Sequence, residues 1–263
     1  MSLDFKIKTC AEYAAEGKVP EVLFFVGCAG SFDERAQKVT KAFAKILHHA
    51  QIDFAILGNE EGCTGDPAKR AGNEFLFQML ALNNIAVLNG YGIKNIVTAC
   101  PHCFNTLKNE YPSLGGEYQV QHHTQFINQL LIDGKIAIAG GAFNGKKITY
   151  HDSCYIGRAN NIYEAPREVL AALDIELTEM KRCKTNGFCC GAGGAQMFKE
   201  AEPGNKEVNI ERTEEAIGTG AKTIVANCPF CMTMISDGVK HFEKETEIEV
   251  LDLAELVAKA AEL

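Results

Sequence analysis

Ten of the eleven cysteines fall into two passages of the chain that share one order. The first passage holds Cys28, Cys63 and Cys100-Pro101-His102-Cys103. The second holds Cys154, the pair Cys189-Cys190 and Cys228-Pro229-Phe230-Cys231, with Cys183 just upstream of the pair. The register is kept: 126 positions separate Cys28 from Cys154 and Cys63 from Cys189, and 128 separate Cys100 from Cys228. Thiols repeated in this way read as a duplicated ligand set, and thiolates are soft donors that favour iron–sulfur clusters and zinc. The two sets differ in number. Cys63-Thr64-Gly65 stands where the second passage has Cys189-Cys190-Gly191, so the first set counts four thiols and the second five. Four suit a [4Fe–4S] cluster or a zinc ion equally well. Five exceed what either needs, which marks the second half for the less ordinary chemistry. A single Cys-Pro-His-Cys would also suit a thioredoxin-like dithiol; two copies, each with matched distal cysteines, favour metal.

The elements that must position these thiols are themselves repeated. VLFFVGC (22–28) matches KITYHDSC (147–154), and FAILGNEEGCTG (54–65) matches the stretch from Glu176 through Cys190. NIVTACPHCFNTL (95–107) matches TIVANCPFCMTMI (223–235). YQVQHHTQFINQLL (118–131) matches EIEVLDLAELVAKA (247–260), a pair without cysteine, so the repeat belongs to the fold as well as to the site. VLFFV and NIVTA have the length and β-branched content of buried strands. Helical patterns lie between them. Ser31 and Glu34 suggest a capping box, followed by Ala36, Val39, Phe43, Ile46 and Leu47 on one face. Further helices are expected over 75–88 and 208–217, and after Pro166, which suits a first turn. Such alternation predicts two α/β, Rossmann-like halves with parallel sheets, related by a pseudo-two-fold axis. The break is expected in the Gly-rich stretch 133–147, giving units 1–140 and 141–263. Each set then gathers at the carboxyl ends of strands, where open α/β sheets build their sites. The CPxC segments open helices whose N-termini favour thiolate.

The remaining composition narrows the function classes. The chain has 263 residues, 46% of them apolar and 23% charged, as expected of a globular protein. A net charge of -8 and the lack of a basic run argue against a nucleic-acid partner. No stretch has the apolar length of a membrane span, and the N-terminus lacks the pattern of a signal peptide. A cytoplasmic protein without direct membrane insertion is therefore expected. In that compartment thiols stay reduced and are read as metal or redox groups.

The pattern of Cys, Cys-Cys-Gly and Cys-x-x-Cys over long gaps resembles the cysteine-rich CCG domain. That domain occurs, usually twice, in the disulfide-cleaving subunit of heterodisulfide reductase and in iron–sulfur subunits of systems that oxidise glycolate, lactate and glycerol-3-phosphate. GFCCGAGG (187–194), CPFC (228–231), CPHC (100–103) and HDSCYIGR (151–158) carry the resemblance, which spans roughly residues 20 to 260. Longer wording, as in VGCAGSFDERA and CTGDPAKRAGNEFLFQ, resembles the branch passing electrons from electron-transfer flavoprotein and acyl-CoA oxidation to quinone. Such relatives carry ferredoxin-type clusters and membrane helices upstream, and this chain is expected to be the CCG part made separately. The resemblance implies a [4Fe–4S] cluster, noncubane in heterodisulfide reductase, on Cys154, Cys189, Cys190, Cys228 and Cys231. It leaves a cubane cluster, an altered cluster or zinc for Cys28, Cys63, Cys100 and Cys103.

Other residues keep two readings. Cys10 reads as a structural thiol; Cys183 is either structural or accessory. His151 and Asp152 either bond the ligand thiolates or pin their loop. His102 is a donor to sulfur or a helix-surface residue. His48-His49 and His122-His123 read as polar residues at element ends. Arg158 and Lys184 balance thiolate charge, bind an anion, or are ordinary surface charges. Gly191, Gly193 and Gly194 lack the dinucleotide register and are expected to let backbone N–H groups approach sulfur. The G-x-x-x-x-G-K spacing at 140–146 precedes a strand and is followed by Lys147 instead of Ser or Thr, so it is not read as a P-loop.

Three functions compete. The first is an iron–sulfur electron-transfer subunit of an oxidoreductase complex, partnered by a flavin- or ferredoxin-type redox subunit and linked through it to the membrane and to quinone. The second is a catalytic subunit cleaving a disulfide at the five-cysteine cluster. The third is a zinc-stabilised structural protein.

Overall fold

In the computed structural model, which describes residues 3–138, 141–143, 145–200 and 203–263, each half builds one parallel four-stranded sheet. The first contains β1 (Val22–Phe25), β2 (Phe54–Ala55), β3 (Asn95–Thr98) and β4 (Gln119–His122), in the order β2-β1-β3-β4. The second contains β5 (Lys147–His151), β6 (Glu176–Leu177), β7 (Thr223–Ala226) and β8 (Glu249–Leu251), in the order β6-β5-β7-β8. The equivalence extends to register: Leu23 pairs with Ile96 as Thr149 pairs with Ile224. In both sheets the order reverses between the first and third strands, and that switch point opens a crevice at their carboxyl ends. The Rossmann-like α/β expectation is met. The expected boundary between units falls beside Ala139 and Gly140, which lie outside the described residues, as does Asn144 within the 140–146 spacing.

The strand β1 shows why buried parallel strands read as continuous apolar runs. Val22 and Phe24 face a core shared by both halves, whereas Leu23 and Phe25 face a second core belonging to the first half alone. In the shared core, helix Glu34–His49 packs on helix Leu253–Ala260, and helix Glu164–Ala172 packs on helix His123–Ile132. These are reciprocal pairs. In each, the helix after one half's first strand meets the helix after the other half's last strand, as a pseudo-two-fold axis requires.

Polar groups fasten the same seam. Arg35 grips the Glu255 carboxylate and donates to the Val250 carbonyl at 2.9 Å. His123 Nε2 lies 2.7 Å from Asp252 Oδ1, and its Nδ1 lies 3.2 Å from His122 Nε2. Both histidines are fully buried. They belong to a cross-half hydrogen-bond chain, where the sequence suggested only element ends. His48 and His49 are exposed.

One cap differs from expectation. Ser31 belongs to a separate helix, Gly27–Phe32, where its hydroxyl donates to Gly27 O. Asp33 caps the long helix instead, accepting from Ala36 N at 2.7 Å. The periodic face matches expectation: Ala36, Val39, Phe43, Ile46 and Leu47 are all buried. Pro166 lies in the first turn of its helix, and the other two expected helices run Glu74–Gly90 and Val208–Gly218.

Candidate metal centres

Each expected ligand follows a strand end. Cys28 lies three residues after β1, and Cys100 ends the run from β3 and caps the helix Pro101–Asn105. Cys154 lies three residues after β5, and Cys228 caps the helix Pro229–His241. Cys103 and Cys231 sit one turn into those helices, so each CPxC brings two sulfurs to one helix N-terminus. The third component arrives on the loop after β2 or β6, and here the two halves share one device. Gly65 and Gly191 both adopt left-handed backbone, with φ of 87° and 92°. That turn aims the Gly65 amide at Cys63 Sγ, 3.4 Å away, and the Gly191 amide at Cys189 Sγ, 3.3 Å away. A Cβ on Gly65 would lie 2.9 Å from the Phe77 ring, so glycine is required on two counts. The expected backbone donation to sulfur is thus found at Gly191; Gly193 and Gly194 have no close neighbour at a built Cβ among the described residues.

In the second half the five thiols form one hydrogen-bonded chain. Cys189 is its acceptor hub: bonds from Cys154 and Cys190 hold its thiol far below the ordinary range. Cys190 is linked onward to Cys231, and Cys231 to Cys228. Ser153 Oγ also reaches Cys231 Sγ at 3.6 Å. Burial opposes ionisation of Cys228, yet bonds from Cys231 and His102 bring it down to about 5. Cys190, Cys228 and Cys231 are buried, whereas Cys154 and Cys189 are part-exposed at the rim.

In the first half, Cys63 accepts from Cys28 and is lowered to about 6 chiefly by that bond. Cys103 is bonded to Cys100, and Cys100 acts on Cys28 electrostatically, as Cys28 does on Cys103. Cys28 itself is exposed. Thr64 occupies the place of Cys190: its hydroxyl lies 3.8 Å from Cys103 Sγ, the equivalent of Cys231 Sγ. Cys10 and Cys183 stand apart from both sets. Burial pushes Cys10 up to about 11 within an apolar core, and the charges that act on Cys183 come from acids and cations instead of other thiols.

Histidine and aspartate near the second set divide the two readings between them. Asp152 pins the loop. Its carboxylate takes two bonds from Arg167 at 2.9 Å and one from Lys184 N at 2.7 Å, tying the end of β5 to the segment leading to Cys189. His151 instead faces sulfur. One of its ring nitrogens forms, with Cys190 Sγ and Cys231 Sγ, a buried trio whose atoms all lie within 4.8 Å of one another. Arg158 donates to Gly187 O at 2.7 Å and Lys184 pairs with Glu164, both at the surface, as ordinary charges do.

His102 is not a helix-surface residue. It is 8% exposed, with its ring between Tyr155 and Phe230 of the other half, both at 4.7 Å between centroids. Nδ1 lies 2.7 Å from Asp66 Oδ2, which leaves Nε2 as the nitrogen bonded to Cys228. Burial disfavours its charge, but the bonds to Asp66 and Cys228 prevail and hold the ring well above the usual imidazole range. His102 and Phe230 occupy equivalent positions in the two CPxC segments and touch at the seam, so one half supplies a polar ring to the other half's thiol. The sequence signal was only the His-for-Phe difference; Asp66 and Tyr155 carried none.

The donor chemistry fits a soft metal centre in each half. Thiols converge without forming disulfides, and hydroxyl and N–H groups point at their sulfurs. A buried imidazole nitrogen beside the second set has no hydrogen-bond partner among the described residues. Cys154, Cys189, Cys190, Cys228 and Cys231 are the residues that would hold a centre in the second half. Cys28, Cys63, Cys100 and Cys103 are those that would hold one in the first.

Comparison with known proteins agrees with this geometry. The "Probable iron-sulfur-binding oxidoreductase FadF" of Bacillus subtilis is 46% identical over 98% of this chain and 36% of its own length. The "EtfAB:quinone oxidoreductase" of Syntrophomonas wolfei is 44% identical over 94% of this chain and 35% of its own. One subunit of the dihydromethanophenazine:CoB–CoM heterodisulfide reductase of Methanosarcina barkeri is 34% identical over 91% and 59%. The chain thus spans about a third of the length of the first two and somewhat over half of the third. A hypothetical protein from Helicobacter pylori shares the fold, with a TM-score of 0.56 at 10% identity over 92% of this chain and 49% of that one. The profile of the CCG cysteine-rich domain matches twice, at residues 22–108 and 148–236, and each copy takes in the first three strands of one sheet and the whole of its cysteine set. The chain belongs to the CCG cysteine-rich domain family.

Proposed function

We propose that this protein is the iron–sulfur electron-transfer part of an oxidoreductase complex. A [4Fe–4S] cluster, noncubane in form, is assigned to the five thiols of the second half, and a four-thiolate centre, [4Fe–4S] or zinc, to the first. One observation carries the reading: five sulfurs from three separate segments form one continuous hydrogen-bonded chain at the β5–β7 crevice. When bound, the cluster supplies one-electron chemistry. The chain's own groups hold its thiolates ionised, aim N–H and O–H groups at sulfur, and exclude water from Cys190, Cys228 and Cys231. The name of the similar EtfAB:quinone oxidoreductase supports an electron-transfer flavoprotein as donor and a quinone-linked acceptor; organic-acid or acyl-CoA oxidation upstream of that donor is what the resemblance implies. The partner is then a flavin- or ferredoxin-type redox unit. Among the described residues no helix is long and apolar enough to cross a membrane. That observation fits a cytoplasmic location and a membrane link made through the partner.

The test is anaerobic purification with iron, zinc and acid-labile sulfide quantified, followed by EPR. Iron and sulfide with a signal removed by Cys189→Ser are expected. Zinc without iron or sulfide would instead favour a structural protein. A second reading, thiol or disulfide chemistry at the five-thiol site, is favoured by the part-exposed position of Cys154 and Cys189 at its rim. Thiol-induced changes in the EPR spectrum would support it over a pure relay.

A further inference from the structure

His151 looks like a sixth ligand of the second set. It is 1% exposed, and it shares a buried trio with the Cys190 and Cys231 sulfurs. The surrounding hydrogen bonds decide against ligation. His151 Nδ1 lies 2.9 Å from Arg212 Nε, which is a donor. A guanidinium has no acceptor, so Nδ1 must present its lone pair. In a neutral imidazole the proton then sits on Nε2, the nitrogen left to face the sulfurs. Arg212 cannot turn away: it is fully buried, and its Nη1 donates to Arg182 O at 2.8 Å and to Glu215 at 3.0 Å. Ligating histidines show the opposite arrangement, in which the other ring nitrogen donates its N–H to a carboxylate or carbonyl. Here that nitrogen receives an N–H from a cation. As the side chains stand, His151 Nε2 makes no hydrogen bond to any described group, sulfur included, and the acceptors nearest to the ring are the Cys190 and Cys231 sulfurs of its trio, so a small approach is all that is needed to give its proton a partner.

We propose that His151 is a positioning residue that donates an Nε2–H hydrogen bond to the Cys190 and Cys231 sulfurs, its tautomer fixed by Arg212, and that it is not a metal ligand. The equivalent residue before Cys28 is Phe25, which has no N–H to give, so the bond is confined to the second centre. An N–H bond to a ligand sulfur stabilises the more negative, reduced state and raises the potential. The part of the inference that concerns potential rests on the iron–sulfur reading; the tautomer does not.

Two measurements test it. Long-range 15N–1H correlation on histidine-labelled protein as purified, whatever metal it holds, should show His151 with its proton on Nε2. A bare or metal-bound Nε2 would overturn the proposal, and this readout stands even if metal analysis finds no iron. On iron-loaded protein, His151→Met should lower the reduction potential of the second centre at unchanged iron and sulfide content. His151→Gln, which keeps an N–H near the Nε2 position, should restore it towards the wild-type value. An unmoved potential in His151→Met, or a strong 15N-histidine hyperfine coupling that this substitution abolishes, would sink the assignment.

Discussion

The two halves solve one problem with opposite wiring. Both must tie the loop carrying the middle thiol to the end of the first strand. In the first half the acid sits on the loop: Glu61 accepts from the backbone amides of Val26 and Gly27, at 3.0 and 2.6 Å, just beyond β1. In the second half the acid sits at the strand end, where Asp152 accepts from Lys184 N on the loop side. The glycine turns at Gly65 and Gly191 are alike, and so are the sheets. What differs is a handful of side chains facing sulfur: Phe25 against His151, Thr64 against Cys190, His102 against Phe230. The backbone therefore specifies where the sulfurs gather, and these substitutions specify how many there are and how polar their surroundings are. A duplicated scaffold can in this way support two unlike centres without changing its fold.

The strongest break of the comparison removes the extra thiol. Cys190 donates to Cys189 and is linked to Cys231, so it joins the loop sulfurs to the helix sulfurs. Cys190→Ala should abolish the second centre's EPR signal and its share of iron and sulfide, and leave the first half's metal in place. Retention of the full signal would mean that four thiols suffice in the second half as well, and the distinction between the halves would fall.

Next in size is the loop tie. Arg167 and Asp152 are 8% and 4% exposed at the side chain, so Asp152→Ala leaves a buried guanidinium with Glu179, the Tyr163 carbonyl and the Tyr150 ring as its neighbours among the described residues. Removing one partner of a buried pair costs about 3–5 kcal/mol. Urea unfolding should show a loss of that order, together with weaker metal retention in the second half. A loss below about 1 kcal/mol, the level of a surface ion pair, would show that the loop is held by other contacts.

How much of this was legible beforehand follows from the range of each interaction. The cysteine sets could be read because a ligand repeat keeps its register, and the strands because apolar runs such as VLFF and TIVA are local. The helix face from Ala36 to Leu47 was equally local. The Asp33 cap was missed because nothing local signals that Gly27–Phe32 folds as its own helix. The shared core, the His122–His123–Asp252 chain and the Arg212–His151 bond join residues tens to more than a hundred positions apart. Periodicity has nothing to say about such pairs. Asp152 and His151 illustrate the limit: adjacent residues of one strand end take opposite roles, and only the position of Arg167 and Arg212 in space separates them.

Thr64→Cys sharpens the comparison from the other side. Its side chain already points at Cys103, the counterpart of Cys231, so a thiol there completes a five-sulfur first set without moving backbone. The first-half centre should take on spectroscopic features of the second, and a site holding zinc should begin to take up iron and sulfide. If the variant keeps the wild-type metal and spectrum, ligand number alone does not distinguish the centres, and the polar groups around sulfur must do so.

The smallest expected effect isolates those polar groups. His102→Phe makes the two CPxC segments alike and removes the side chain that the first half contributes to the second half's thiols. Cys228 keeps its bond from Cys231 but loses the one from His102, and Asp66 keeps Arg70 Nε at 3.1 Å and Tyr155 at 3.2 Å, so the seam retains its other ties. The second centre's reduction potential should fall, because an N–H bond to a ligand sulfur favours the reduced form. The first centre, whose Cys103 is supported by Thr64 and Cys100, should move less. Metal content should stay constant in both. Equal shifts in the two centres would mean that His102 acts through general packing at the seam, and the cross-half bond to Cys228 would then have no separate electrochemical role.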